Sequence, residues 1–329
     1  MTDLFLKIKE RLKQADKKRI IFPEFTDERI LSAANRLAQE NLLVPVFIGS
    51  ENEVERVLKD KGIVLAEYET VDPDRFQEYD RLINAYIERR RHKADDLETA
   101  KEKVKESNYF ATLLVHLGYA DGMVSGAIHT TSKALRPLLE IVKTKEGVQK
   151  VSGAYLMVRG EEQYVFADCA VNISPSSEDL AEIALQTVET AKLLDMDPKV
   201  ALLSFSTKGS AHAPETEKVI EAFHLVKKKA PSLLVDGEMQ FDAAYIPELA
   251  ERKAPRSAIK GDANIFIFPN LDAGNISCKI AERLGKFQAV GPLLQGLNRP
   301  VNLLSRGCCE DDVYKVGLLT ALKANEKHS

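Results

Sequence analysis

"RIIFPEFTDERILSAANRLAQENLLVPVFI", residues 19–48, holds the reading that decides the fold. Two short apolar runs, Arg19–Phe22 and Val44–Ile48, flank an amphipathic stretch from Asp27 to Asn41. Short runs rich in β-branched and aromatic residues suit buried strands, and apolar residues at helical spacing between them suit a covering helix. The same alternation recurs outward along the chain. Gly122–Ser125 precedes a helix candidate over Ser132–Val142, and Val200–Leu203, Leu233–Val235, Ile265–Phe268 and Phe287–Val290 are each set apart by helical patterns. Strand–helix alternation of this kind predicts an α/β fold with mainly parallel sheets.

The rhythm breaks near residue 150. Ala154–Val158 and Gln163–Ala167 are separated only by Arg159-Gly-Glu-Glu162, which reads as a hairpin and the entry to a second domain. The highly charged region 78–107 reads as helices with solvated faces. A length of 329 residues suits two domains or one large one.

Charge is balanced, with 46 basic and 50 acidic side chains, so no global field points to nucleic acid. The first residues are charged and lack the apolar core of a signal peptide, and no apolar run approaches the roughly 20 residues of a membrane span. Cys169, Cys278, Cys308 and Cys309 form no C-x-x-C pair, and the adjacent two are poorly spaced to chelate one metal. Reduced thiols in a cytoplasmic protein, with no metal site and no membrane or nucleic-acid partner, are the expectation. A G-x-G-x-x-G after a strand, a Walker loop and H-E-x-x-H are all missing, which argues against dinucleotide dehydrogenases, P-loop kinases and zinc hydrolases.

In open α/β sheets, ligands sit beyond the carboxyl ends of the strands. Polar segments stand at such places: Asp121–Gly126 with His129, Ser204–Ser210, Asp236–Glu238 and Pro269–Gly274. Any one of them is also ordinary turn and cap chemistry. Pro300–Tyr314, "PVNLLSRGCCEDDVY", allows two readings. Acids in a first helical turn favour the helix dipole, so Glu310-Asp-Asp312 suits a plain helix start. Ser305-Arg-Gly307 just before them suits instead an anion seat with a carboxylate nearby to take a proton.

Longer segments carry a resemblance. They are Asp121-Gly-Met-Val-Ser-Gly-Ala127 with His129-Thr-Thr131 and Leu135-Arg-Pro137, Phe166-Ala-Asp-Cys-Ala-Val-Asn172, Leu203–Ala211, and Asp236-Gly-Glu-Met-Gln-Phe-Asp-Ala-Ala244. Further on come Gly274-Asn-Ile276, Gly291–Leu297, Pro300-Val-Asn302 and Leu304-Ser-Arg-Gly-Cys308. In this order, and over nearly the whole chain, they resemble the phosphate acetyl/butyryltransferase family, its phosphotransacetylases in particular. The resemblance implies reversible acetyl transfer between acetyl phosphate and coenzyme A, with coenzyme A as a substrate and no tightly bound cofactor. On the family's pattern Asp312 takes the thiol proton, Arg306 polarises the carbonyl and stabilises its growing charge, and Ser305 hydrogen-bonds within the site. A thiol of pKa near ~8.5 is mostly protonated at neutral pH, so a base helps, and a fixed cation counts most where charge grows. Arg90 and Arg136 match positions linked to coenzyme A binding, where arginine suits phosphate.

The resemblance further implies two α/β domains with the active-site cleft between them, residues 1–148 plus 293–329 and residues 149–292, and a homodimer. Leu303 and Phe25 depart from the pattern, standing where the family usually has aspartate and glycine. Phosphate butyryltransferase and a non-catalytic acyl-CoA-binding homologue are the alternatives.

Overall fold

The computed structural model describes residues 3–326. The chain forms two compact units, one running through Glu146 and resuming at Leu297, the other Gly147–Gly296. The first unit supplies strands β1 (Arg19–Ile21), β2 (Val44–Ile48), β3 (Glu69–Val71) and β4 (Gly122–Ser125). The second supplies β5 (Ser152–Arg159), β6 (Glu162–Ala167), β7 (Lys199–Leu203), β8 (Leu234–Met239), β9 (Ile265–Ile267) and β10 (Gln288–Gln295). The chain then returns to the first unit with β11 (Val301–Leu303).

The first sheet has the order β11-β4-β1-β2-β3, and all its pairs are parallel. The second sheet has the order β10-β5-β6-β9-β7-β8. Its β6, β9, β7 and β8 are mutually parallel, and the expected hairpin is present as antiparallel β5 and β6, with Tyr155 opposite Phe166. The Phe287–Val290 run differs from a parallel strand: it starts β10, antiparallel to β5, and pairing continues to Gln295 opposite Ser152. The second unit therefore runs on to Gly296, past the expected 292.

The opening stretch behaves as its pattern demands. Ile20 and Ile21 of β1 are fully buried, and the helix Glu28–Gln39 buries Ile30, Leu31, Ala33, Ala34, Leu37 and Ala38 on one face. Asp27 caps that helix, accepting from the Arg29 backbone N–H. The last helix, Glu310–Asn325, buries every residue from Val313 to Leu322. Gly317 lets it approach the helix Glu28–Gln39, because a Cβ there would stand 2.8 Å from Leu37 Cδ1. Side chains close the same seam: Tyr314 donates to Glu40 Oε2 at 2.7 Å, and the Arg36 guanidinium lies over the Tyr314 ring at 3.7 Å.

Because β11, β4 and β1 are parallel neighbours, their carboxyl ends open on one edge of the first sheet. Three loops leave that edge side by side: 22–27, 126–130 and 304–309.

Candidate active site

The loop after β11 begins at Leu304, whose N–H donates to Ser125 O at 2.8 Å and keeps it beside the end of β4. Gly126 adopts φ +107, and a Cβ there would meet Leu304 O at 2.9 Å, so only glycine fits both the backbone and the approach. Ser305 O accepts from Cys308 N at 2.9 Å, closing a turn that displays Arg306 and Gly307 to solvent. Ser305 Oγ accepts a longer bond from Gly307 N at 3.3 Å. Cys309 caps the last helix, and Asp312, third residue of that helix, reaches back to accept from the Cys309 N–H at 2.9 Å. This bond uses Oδ2 alone. Ser305, Arg306 and Asp312 thus sit around one tight turn at a helix start. Among the described residues the Arg306 guanidinium makes no hydrogen bond or ion pair.

What holds this loop is Arg29. Its guanidinium donates to Arg306 O at 3.0 Å, Cys308 O at 2.8 Å and Ala127 O at 3.1 Å, and forms a bidentate pair with Asp27 at 2.9 and 2.7 Å. That pairing lowers the Asp27 carboxyl and raises the Arg29 guanidinium from their ordinary values. Glu24 plays a similar part for the loop after β4, whose Gly126–His129 backbone N–H groups and His129 ring all donate to its carboxylate. Neither Arg29 nor Glu24 was singled out from the sequence. The signal was present only as charged residues in the loop and helix start that follow a strand.

Arg136 lies on the helix Thr131–Pro137, exposed, and among the described residues it too makes no hydrogen bond or ion pair. Arg90 is different. It ends the helix Tyr79–Arg90 and is locked between carboxylates, Nε donating to Asp95 at 2.5 Å and Nη1 to Glu140 at 2.7 Å, with its side chain only 16% exposed. Tyr86 and Tyr109 donate to the same two carboxylates at 2.9 and 2.5 Å. Glu140 sits in the π-helical turn Leu138–Val142 that continues the helix of Arg136.

The departures from pattern turn inward. Leu303 is 1% exposed within β11, and Phe25 packs on Phe47 with ring centroids 5.8 Å apart. Arg306 therefore stands without a carboxylate at position 303, on a backbone that Arg29 fixes. The four cysteines are free. Burial pushes Cys308 up to about 11 and Cys278 up to about 12, and it raises Cys309 and Cys169 as well. Arg29 beside Cys308 pulls the other way without overcoming that effect.

In the second unit the polar segments after strands serve the fold. Lys208, at φ +50, pairs with Asp236 and donates to Gly237 O at 2.9 Å. Glu238 accepts from Ser206 Oγ at 2.9 Å and Gly209 N at 2.7 Å. Asn270 caps the helix Leu271–Arg283. No cluster of three or more His, Cys, Asp or Glu side chains among the described residues is placed to hold a metal, and no helix there is long and apolar enough to cross a membrane.

A guanidinium with no partner among the described residues, a hydroxyl and a carboxylate around one turn suit acyl transfer to a nucleophile that must lose a proton. Comparison with known proteins points the same way. The family model described as phosphate acetyl/butaryl transferase matches residues 3–321. The chain belongs to that family, and it is an acyltransferase. It is 55% identical over 324 residues to the phosphate acetyltransferase of Bacillus subtilis (strain 168), covering 98% of this chain and all of that one. Among solved structures, a phosphotransacetylase from Streptococcus pyogenes superposes with a TM-score of 0.94 at 49% identity, covering 99% of this chain and 100% of that one. The EutD phosphotransacetylase from Staphylococcus aureus superposes with a TM-score of 0.90 at 45% identity, covering 98% of each chain.

Proposed function

We infer that this chain catalyses reversible transfer of an acetyl group between acetyl phosphate and coenzyme A. The observation that carries the reading is 55% identity, end to end, to a phosphate acetyltransferase. The coenzyme A thiol gives its proton to Asp312, and the thiolate attacks the acetyl-phosphate carbonyl. A carbon–sulfur bond forms, the carbon–oxygen bond to phosphate breaks, and phosphate leaves with both bonding electrons. Arg306 stabilises the carbonyl oxygen as charge develops there, and its lack of any protein partner among the described residues supports that role. Ser305 holds the reacting group from the same turn. The raised thiols of Cys308 and Cys309 support direct transfer over an acyl-enzyme. No oxidation occurs, and the reaction as written needs no further cofactor.

Arg136 is the direct contact for a coenzyme A phosphate. Arg90 serves the same substrate through Glu140, which steadies the helix bearing Arg136. A homodimer is the working form. Ile276, Ile280 and Leu284, 57, 52 and 79% exposed, form a stripe at helical spacing on and just beyond the helix Leu271–Arg283, which suits a second copy. The free thiols suit a reducing cytoplasm.

The test is thioester formation from coenzyme A with acetyl phosphate or butyryl phosphate, without nicotinamide cofactor. Acetyl phosphate is expected to be the better substrate by kcat/KM. No thioester from acetyl phosphate would overturn the reading, and a preference for butyryl phosphate would move it to the longer acyl group.

A further inference from the structure

Glu24 lies in the loop after β1 and is 4% exposed. A buried carboxylate is costly unless donors replace its water. No lysine or arginine among the described residues forms an ion pair with it, although Arg29 is near enough to feel its charge, and the His129 ring lies against it. The backbone supplies the donors instead. Gly126 N and Ala127 N donate to Oε2 at 2.7 and 2.8 Å, and Ile128 N and His129 N donate to Oε1 at 3.2 and 3.1 Å. His129 Nδ1 adds a fifth contact at 2.6 Å. A carboxylate only accepts, so Nδ1 carries the proton and Nε2 is left facing away from Glu24.

Four consecutive N–H groups converging on one anion form a seat that proteins often offer to phosphate. Here the chain's own side chain fills it, so these donors fix the loop and are not offered to substrate. The fixed loop is joined to the reacting turn. Ala127 O accepts from Arg29, and the same guanidinium donates to Arg306 O and Cys308 O. One cation thus ties the backbone that Glu24 anchors to the backbone that carries Arg306.

We propose that Glu24 is a positioning residue for acyl transfer, setting the location of Arg306 through the Gly126–His129 loop and Arg29. This rests on the reading that Arg306 stabilises charge in the transition state. A misplacement of about an ångström at such a group costs on the order of a hundredfold in rate. Glu24→Gln keeps the size of the side chain but removes the charge and sets an amide NH₂ against the N–H donors.

The experiment measures kcat and both KM values for Glu24→Gln, Arg306→Ala and the double variant, each checked for folding by circular dichroism. Glu24→Gln is expected to lower kcat roughly tenfold to a hundredfold, with both KM values within about threefold of wild type. In the Arg306→Ala background the same substitution should cost less than about threefold more, because the group it positions is already gone. Full additivity, or unchanged kcat in Glu24→Gln while Arg306→Ala is impaired, overturns the proposal and leaves the functional reading standing. An unimpaired Arg306→Ala overturns both. Should Glu24→Gln fail to fold, Glu24→Asp keeps the charge with a shorter reach and is expected to show the same kcat loss at steady KM and the same non-additivity. His129→Ala removes only the ring contact and should cost less than the Glu24 substitution. An equal or larger loss would make the ring itself the working group and sink the assignment to Glu24.

Discussion

Arg90 and Arg306 both lie in the first unit, and both match places where an anionic substrate is expected, yet their surroundings are opposite. Arg90 has each arm on a carboxylate, with two tyrosines completing the acceptors. Arg306 is exposed and, among the described residues, bonded only through its backbone carbonyl. A guanidinium already neutralised by two carboxylates has little left for a phosphate or a carbonyl oxygen, whereas an unpartnered one on a fixed backbone is poised for charge that arrives with substrate. The difference separates an arginine that builds the fold from one that, on the proposed reading, is placed to meet substrate.

The largest effect expected from breaking this division is at the turn itself. Asp312→Asn removes the proton acceptor while keeping an oxygen for the Cys309 N–H. A fall in kcat of about 10² to 10⁴ is expected, with the fold and coenzyme A binding retained. Steady-state rates and calorimetric titration with coenzyme A check it, and near-wild-type turnover would remove Asp312 from the chemistry.

Next is Arg136, whose guanidinium likewise makes no hydrogen bond or ion pair among the described residues. Losing a charged contact to phosphate costs roughly 1.5–3 kcal/mol, or about a tenfold to hundredfold change in binding. Arg136→Ala should raise the KM for coenzyme A by that factor and leave the KM for acetyl phosphate nearly unchanged. Comparing coenzyme A with dephospho-coenzyme A tells whether the contact is to the 3′-phosphate. Equal discrimination in variant and wild type would exclude it.

Much of this was legible in the residues. β2 and β4 stand where apolar runs end on turn residues, and the helix of the opening stretch follows its spacing. Two strands escaped. β3, Glu69-Thr-Val71, is a half-exposed edge strand without an apolar run. β11 has only Val301-Asn-Leu303, and Asn302 tolerates burial because its amide meets Thr320 Oγ1 at 2.9 Å. That Ser305, Arg306 and Asp312 share one turn was legible through Ser305-Arg-Gly307 and the acids after it. Its supports were not, because Arg29 and Glu24 bind backbone atoms far along the chain, and any sequence supplies backbone carbonyls and N–H groups. Arg90 could be read as a cation. Its partners come from Asp95 and from Glu140 on another helix, and side-chain spacing alone cannot place them.

A smaller effect concerns stability. Arg90 holds the Asp95 carboxyl below its ordinary value. A lowered folded-state pKa gives stability that is present above the unfolded value and lost as pH falls through the folded one. Arg90→Ala should therefore be less stable by about 1–2 kcal/mol near neutrality. The gap to wild type should narrow below about pH 4. Denaturant melts across pH check both parts, and a gap that widens in acid would refute the clamp as described. Smallest of all, Cys308→Ala and Cys309→Ala should each keep substantial activity, within about tenfold of wild type, since neither thiol is ionised by its setting. An acetyl thioester trapped on either residue would contradict direct transfer.

The contrast itself is tested most directly by measuring kcat at saturating substrates and the thermal midpoint together for Arg306→Ala and Arg90→Ala. Arg306→Ala is expected to lose about 10² to 10³ in kcat with its midpoint unmoved. Arg90→Ala is expected to melt several degrees lower, about 2–4 °C per kcal/mol lost, while keeping kcat within a few-fold of wild type. An Arg306→Ala enzyme with wild-type turnover, or an Arg90→Ala enzyme that loses turnover as severely without losing stability, would contradict the contrast.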